Sequence, residues 1–345
     1  MTRTFAIGSF ASAGGVFPGL VVAGRVHDIS AIITSAACTR DLFADWDASL
    51  DQLERFAAKE SEDRSPGGTP VGELRLLPPV QPVGQVFAAG ANYRQHVLEI
   101  TVAHRLGRSD ASDDDLRAQA ARELEERAAH GDPYVWAGLP SAVSGAYDDV
   151  VLPDVGGDVD WEVELGVVIA RRVHRADAAD VPDYIAGYTI CNDLTARSLV
   201  PRGDMPMMGT DWLRSKCQPT FFPTGPYLVP ARFVPDPKAL EIEMRLNGQV
   251  MQHATIGDLL FGISELVAYT SSLVVLEPGD MLITGSPAGN GSYWKRFLAA
   301  GDVMEARITG LGEQRTVVRG PSGSLPPWQA SRHRDSVDAW PRSPA

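Results

Sequence analysis

The stretch Trp161–Val173 limits the fold more than any other part of the chain. It opens in alternation, Trp161-Glu162-Val163-Glu164-Leu165, and then runs almost unbroken in apolar residues through Ile169 and Ala170. That pattern reads as a β-strand buried on one or both faces, so the chain has to supply flanking strands and a covering layer. In a strand, residues i and i+2 share a face, and the carboxylates of Glu162 and Glu164 therefore converge. Two such groups side by side repel, and burial raises their pKa values unless a cation sits between them. The exposed face of an edge strand would carry the same E-x-E, so the pattern alone does not separate a site from a solvated surface.

Other segments supply the partners. From Phe5 to about Leu77 the sequence gives short strands (FAIGSF, GLVVAG, RVHDIS) and one helix with Leu50, Leu53 and Phe56 at helical spacing, capped by Asp45 or Asp47. A proline-rich joint, Leu77 to Val83, breaks regular structure and reads as a linker. We therefore expect a small N-terminal α/β module over 1–80, a catalytic domain over 81–320, and a poorly ordered tail over 321–345. Gln85–Ala89 reads as a buried strand ending at Gly90, and Asp113–Ala129 as a charged helix with a thin apolar face of Leu116, Ala120 and Leu124. Leu240–Leu246 alternates into Asn247-Gly248, a hairpin signal. Ser264–Val275 reads as an amphipathic helix, Asp280–Thr284 as a strand ending in a Gly/Pro loop, and Asp302–Val318 as a strand pair. Many strands and few helices indicate an α+β class with a mainly β core, not a doubly wound sheet.

Composition narrows the partners. A net charge of -13 argues against nucleic acid and anionic membranes, both of which need a basic surface. An acidic enzyme with an anionic substrate then needs a local positive charge, such as a bound cation. Cys38, Cys191 and Cys217 form neither a paired framework nor a metal-ligand spacing. There is no signal-like N-terminus and no apolar run approaching the roughly 20 residues that span a bilayer, so a soluble, cytoplasmic protein is expected.

Three clusters carry chemistry. Thr189-Ile190-Cys191-Asn192-Asp193 follows an apolar approach and delivers Asp193 to a strand end. With Glu162 and Glu164 it makes a hard oxygen set suited to Mg²⁺, Mn²⁺ or Ca²⁺. In Gly90-Ala91-Asn92-Tyr93-Arg94-Gln95-His96-Val97-Leu98-Glu99, His96 and Glu99 would share one face of a short helix. Glu99 could then fix the His96 tautomer and raise its basicity, as a general base requires; a surface histidine on a capped turn would look alike. The loop Thr284-Gly285-Ser286-Pro287-Ala288-Gly289-Asn290-Gly291 offers backbone N–H groups and hydroxyls to an anion, although a plain turn is similar. The nucleotide-binding, zinc-protease and serine-hydrolase motifs are all absent.

Taken in order, these motifs resemble the fumarylacetoacetate hydrolase family, of the acylpyruvase and 2-oxo-hepta-ene-dioate isomerase-hydratase type. The resemblance rests on Gly90–Glu99, Glu162–Glu164, Asn192–Arg197, Lys216, Pro223–Pro226, Asn247–Gln252, Glu277–Asp280 and Thr284–Gly289. It implies a mixed β-roll core, Mg²⁺ or Mn²⁺ held by Glu162, Glu164 and Asp193, a 2-oxo acid as small-molecule substrate, and a homodimer. By the same resemblance, His96 and Glu99 match a dyad that activates water or moves a proton. Lys216 matches a lysine that stabilises negative charge on the substrate. Arg197 and Thr284 match groups near its carboxylate and carbonyl oxygens, with Tyr93 and Arg94 as further substrate contacts.

The implied reaction is hydrolysis of a C–C bond in an acylpyruvate or β-diketo acid through a metal-stabilised pyruvate enolate. Hydration, isomerisation or decarboxylation of a 2-oxo-enoic acid would use the same centre, and a metal-binding scaffold without catalysis is the remote alternative. The chain departs from the family pattern in three places. Gly138 stands where many relatives have a lysine, Pro219 stands where an aspartate is frequent, and the stretch between Glu99 and Pro133 is long. The charged helix in that stretch, within 100–132, would serve as an enlarged lid.

Overall fold

All seven residues of the strand Val163–Ile169 are buried, because the strand is covered on both faces. The computed structural model describes residues 5–62, 67–103, 105, 111–154 and 157–321. The expected tail lies outside the described residues apart from Pro321. Six α-helices are described: α1 (Trp46–Glu62), α2 (Arg94–Ala103), α3 (Asp113–His130), α4 (Trp212–Lys216), α5 (Ile263–Leu273) and α6 (Gly291–Trp294).

The central sheet runs Tyr134–Gly138, Val86–Gly90, Met281–Ile283, Val163–Ile169, Ile185–Asn192, Phe222–Thr224 and Val143–Gly145, with Val229–Pro230 pairing beside it. Its pairings are mixed: Met281–Ile283 lies parallel to Val86–Gly90 and antiparallel to Val163–Ile169. A second sheet of five strands contains the hairpin Glu241–Leu246 and Gln249–Thr255. At its turn, Asn247 and Gly248 both take positive φ (52° and 83°), as the sequence requires of a two-residue hairpin loop. Val163, Leu165 and Val167 point into one apolar core shared with Ile242, Met244 and Met304 of that second sheet. This is the mixed α+β fold that the alternation predicts.

The opposite face of the same strand meets the N-terminal sheet. That sheet comprises Thr69–Pro70, Arg25–Asp28, Gly15–Val22, Ala6–Ser12 and Arg75–Leu77, in that order. Its core includes Leu20, Leu50 and Leu53, and also Val168, Ala170, Ala186 and Leu228 from the chain beyond the proline joint. Paired backbone hydrogen bonds between Ile7 and Leu228 join the two parts. Asp45 caps α1 by accepting from Ala48 N–H at 3.1 Å.

One expectation needs correction. The strand predicted over Trp161–Val173 is interrupted at Trp161–Glu162 and stops at Ile169. At the interruption side chains replace the ladder, with Asn192 Oδ1 accepting from Glu162 N–H at 2.9 Å and Gln252 Oε1 from Val163 N–H at 3.2 Å. The helix proposed as a lid forms as α3, capped by Ser112 with three aspartates in its first turn. Its thin apolar face is fully used: Leu116, Ala120 and Leu124 are all buried, and Leu124 belongs to the main core. Arg127 lies across the Phe261 ring and donates to Ala91 C=O at 2.8 Å. Removing the Leu124 side chain should cost about 2–3 kcal/mol locally. Leu124→Ala is expected to speed amide exchange across α3 by at least about tenfold; unchanged exchange would mean that α3 does not depend on this packing.

Candidate functional site

The site grows from strand register. Val163 pairs with Asn192 and Glu164 with Cys191, and one step further the N–H of Asp193 donates to Glu162 C=O at 2.8 Å. Antiparallel pairing thus sets Asp193 opposite Glu162, while the alternation keeps Glu164 on the same side. One oxygen from each of Glu162, Glu164 and Asp193 lies within 4.8 Å of the others, and all three residues are buried. The structure thus brings together the three carboxylates that the sequence analysis grouped.

Charge balance governs the surroundings. Lys216, at the end of α4, is buried, and its ammonium donates to Glu162 Oε2 at 2.7 Å and to Asp193 Oδ2. The Arg197 fork spans Asp160 Oδ2 (2.8 Å, from Nε) and Glu162 Oε1 (2.6 Å, from Nη2). Both cations were expected to face substrate; in the structure they face the protein's own carboxylates, the nearest anions in a low-dielectric interior. Burial works to lift the Glu162 carboxyl, but Lys216 and Arg197 hold it below the ordinary carboxylate range. Burial and the neighbouring charges of Asp193 and Glu162 push Glu164 well up, and burial also raises Asp193. Four buried carboxylates, counting Asp160, face two cations. Full ionisation would leave an excess of two negative charges, which one divalent ion would balance.

Several buried polar atoms around this cluster have no partner among the described residues: Asp193 Oδ1, Asn290 Oδ1, the Tyr93 hydroxyl and the Thr284 hydroxyl. Burial raises the Tyr93 phenol, and the charges of Glu164 and Asp258 add to the effect. Thr284 ends the strand Met281–Ile283 and is tied by its N–H to Leu165 C=O at 3.1 Å. Buried polar atoms are normally paired, so an unpartnered group of this kind marks a place where ligand oxygens or a metal belong. The donor set and the free Asp193 oxygen fit a hard divalent cation.

His96 is buried on α2 and feels Glu162, Arg197, Asp160 and Lys216, so it faces the cluster. Burial dominates and pushes its pKa down to about 4; the imidazole is therefore neutral at physiological pH. No hydrogen bond or ion pair joins it to Glu99. Glu99 instead accepts from Gly289 N–H at 2.9 Å, and burial raises its carboxyl. The two residues of the expected dyad stand one helical turn apart on α2 without a bond between them. Asn92 fixes the start of α2, with its amide group donating to Phe261 C=O and Thr284 C=O while its oxygen accepts from Phe261 N–H. Arg94 is exposed at the first turn, where its charge bears on Asp258, and no bond ties it to the carboxylates.

The glycine-rich loop also departs from expectation. Its N–H groups serve internal carboxylates, not an external anion: Gly285 donates to Glu164, Gly289 to Glu99, and Gly291 to Asp160. Asp160 is the residue that sequence reasoning missed. It is fully buried and accepts from Trp161, Gly291 and Ser292 N–H groups, the Ser292 hydroxyl and Arg197. The signal was present, since Asp160 stands two residues before Glu162 and extends the pattern to D-x-E-x-E.

Residues 85–319 match the family model described as fumarylacetoacetate (FAA) hydrolase C-terminal. The chain is 30% identical over 313 residues to a 2,4-didehydro-3-deoxy-L-rhamnonate hydrolase from Sphingomonas sp. (strain SKA58), covering 90% of this chain and 94% of that protein. It is 33% identical over 245 residues to the mitochondrial oxaloacetate tautomerase Fahd2a of Rattus norvegicus, covering 70% of this chain and 69% of that one. Maleylpyruvate hydrolase from Sphingobium sp. SYK-6, solved with manganese(II) and pyruvate, shares the fold. Its TM-score is 0.69 at 24% identity, with 92% of this chain and 99% of that chain covered. By the family match over the whole central region and by these relatives, the chain belongs to the fumarylacetoacetate hydrolase family, whose members act on oxo acids as hydrolases, isomerases and tautomerases.

Proposed function

We propose that this chain is a divalent-metal-dependent hydrolase that cleaves a C–C bond in an acylpyruvate or related β-diketo acid. The observation that carries the reading is the convergence of three buried carboxylates with unpartnered oxygens and hydroxyls at one point. Glu162, Glu164 and Asp193 would hold Mg²⁺ or Mn²⁺, with Ca²⁺ as a further candidate; the related maleylpyruvate hydrolase structure holds manganese(II) and pyruvate. When bound, the ion supplies a Lewis acid that polarises the 2-oxo group.

The chain's own residues divide the remaining tasks. The Tyr93 and Thr284 hydroxyls, buried without partners, are free to donate to substrate oxygens. Neutral His96 accepts a proton from the water that attacks the distal carbonyl. The bond between that carbonyl carbon and the pyruvoyl methylene then breaks. Its electron pair moves onto the methylene as an enolate, near which Lys216 offers countercharge. Return of the proton from His96 to that carbon yields pyruvate and a carboxylic acid.

A second reading, tautomerisation of a 2-oxo acid, is supported by the relative that is an oxaloacetate tautomerase and by a neutral His96 that makes no bond to Glu99. A neutral imidazole without an orienting carboxylate suits proton relay between carbon and oxygen as well as activation of water.

A spectrophotometric panel of acylpyruvates, 2-oxo-4-enoates and enol-oxaloacetate, with Mg²⁺, Mn²⁺ or EDTA, tests both readings. Cleavage of an acylpyruvate that EDTA abolishes supports the hydrolase. Activity confined to enol–keto conversion favours the tautomerase, and turnover equal with and without EDTA would remove the metal from the reaction. Lys216→Met should destabilise the protein by about 3 kcal/mol in EDTA, because it leaves buried carboxylates unpaired. The loss should shrink when Mn²⁺ is present; an equal loss in both conditions would contradict the shared charge balance. The folded pKa of His96 lies below its unfolded value of 6.5, so the unfolded chain binds the extra proton and stability falls as pH drops from about 6.5 to about 4. In EDTA, wild type should lose up to about 3 kcal/mol more than His96→Gln across that window; parallel pH curves would show that His96 is not buried neutral.

A further inference from the structure

Lys216 leads to a feature that this chemistry leaves unused. Its ammonium lies 5.5 Å from the centroid of Trp136 and 5.8 Å from that of Trp212. The two indoles stack at 5.8 Å with 24° between their planes, and Trp136 leans on Phe222 behind. Trp212 Nε1 donates to the Tyr134 hydroxyl at 2.6 Å. Trp136 is buried while Trp212 is partly open to solvent, so the carboxylate cluster is bordered by an aromatic wall with an accessible edge. Tyr134, bonded to Trp212, is 44% exposed, and Leu213, next to Trp212 in the chain, is 65% exposed. On the strand that carries Tyr134 and Trp136, Gly138 contributes no side chain, and a Cβ there would stand 3.0 Å from the Phe222 ring, tight enough that the ring would have to shift.

The cations flanking this wall already have partners. Lys216 and Arg197 hold Glu162, Asp193 and Asp160. Arg202 is bound to Asp204 and Asp211. Arg214 donates to Leu199 C=O at 2.9 Å and Pro201 C=O at 3.0 Å. A second carboxylate at the far end of a substrate would lose hydration here without gaining a partner, whereas an apolar group would gain contact with an indole.

Resting on the 2-oxo acid reading, we infer that the site selects monocarboxylic 2-oxo acids with an apolar distal group, alkyl or aryl, seated against Trp212. Trp212 is then a specificity-determining residue and takes no part in the chemistry of the reacting atoms.

The test uses the full chain with Mg²⁺ and two matched sets of ligands. One pair is an acylpyruvate ending in phenyl or n-alkyl and one of equal length ending in carboxylate, compared by kcat/KM. The other is 2-oxo-4-phenylbutanoate and 2-oxoadipate, compared by quenching of tryptophan fluorescence. The apolar member of each pair should be favoured at least about tenfold. Trp212→Ala should bring that ratio close to one, while Trp212→Phe keeps most of it. If Trp212→Ala does not fold, the wild-type ratios and Trp212→Phe still decide the matter. Equal or better use of the dicarboxylates overturns the inference and leaves the 2-oxo acid reading standing. Failure of either set to bind or react overturns that reading, and the inference with it.

Discussion

Ionised carboxylates placed in an apolar interior govern the rest of this structure. Desolvating one such group without compensation costs several kcal/mol or more, and here Asp160, Glu162, Glu164 and Asp193 are buried together. Their neighbours are explained by that cost. Arg197 bridges two of them, Lys216 bridges another pairing, and the loop Gly285–Gly291 turns its amides inward to three carboxylates, Glu99 among them. Even so, Asp193 keeps an oxygen without a donor. With all four carboxylates ionised, the protein's own cations leave two negative charges in excess, which one divalent cation would balance.

The glycines of that loop have a specific purpose in this arrangement. Gly285 and Gly289 adopt φ values of 98° and 95°, a region open to glycine and strained for other residues. A Cβ on Gly289 would meet the Met251 carbonyl at 2.0 Å, and one on Gly291 would meet Asp160 at 2.8 Å. Glycine therefore lets the backbone come close enough for its N–H groups to reach carboxylates that no side chain could approach from the same side.

Features set by periodicity were legible in the sequence. The alternation around Glu162 and Glu164, the Asn247-Gly248 hairpin and the three-residue apolar face of α3 all occur where the pattern puts them. Features set by competition among partners were not. Whether Glu99 holds His96 or a loop amide depends on Gly289, which lies 190 positions away. Whether Lys216 and Arg197 face outward or inward depends on how many anions the fold gathers around them. The same holds for the aromatic wall: Trp136 and Trp212 lie on segments whose meeting no local pattern foretells. Asp160 stands between the two cases, its spacing visible but its five donors contributed by three separate segments.

The N-terminal sheet bears on where this protein can be divided. The family match begins at residue 85, yet Val168, Ala170, Ala186 and Leu228, all beyond that point, are packed in a core with Leu20, Leu50 and Leu53. Val168 lies on the same strand as Glu164, four residues along and on the same face. The boundary of the family match thus falls inside one packed core. A chain cut at residue 85 would uncover Val168, on the same face of the strand as Glu164, together with Ala170, Ala186 and Leu228.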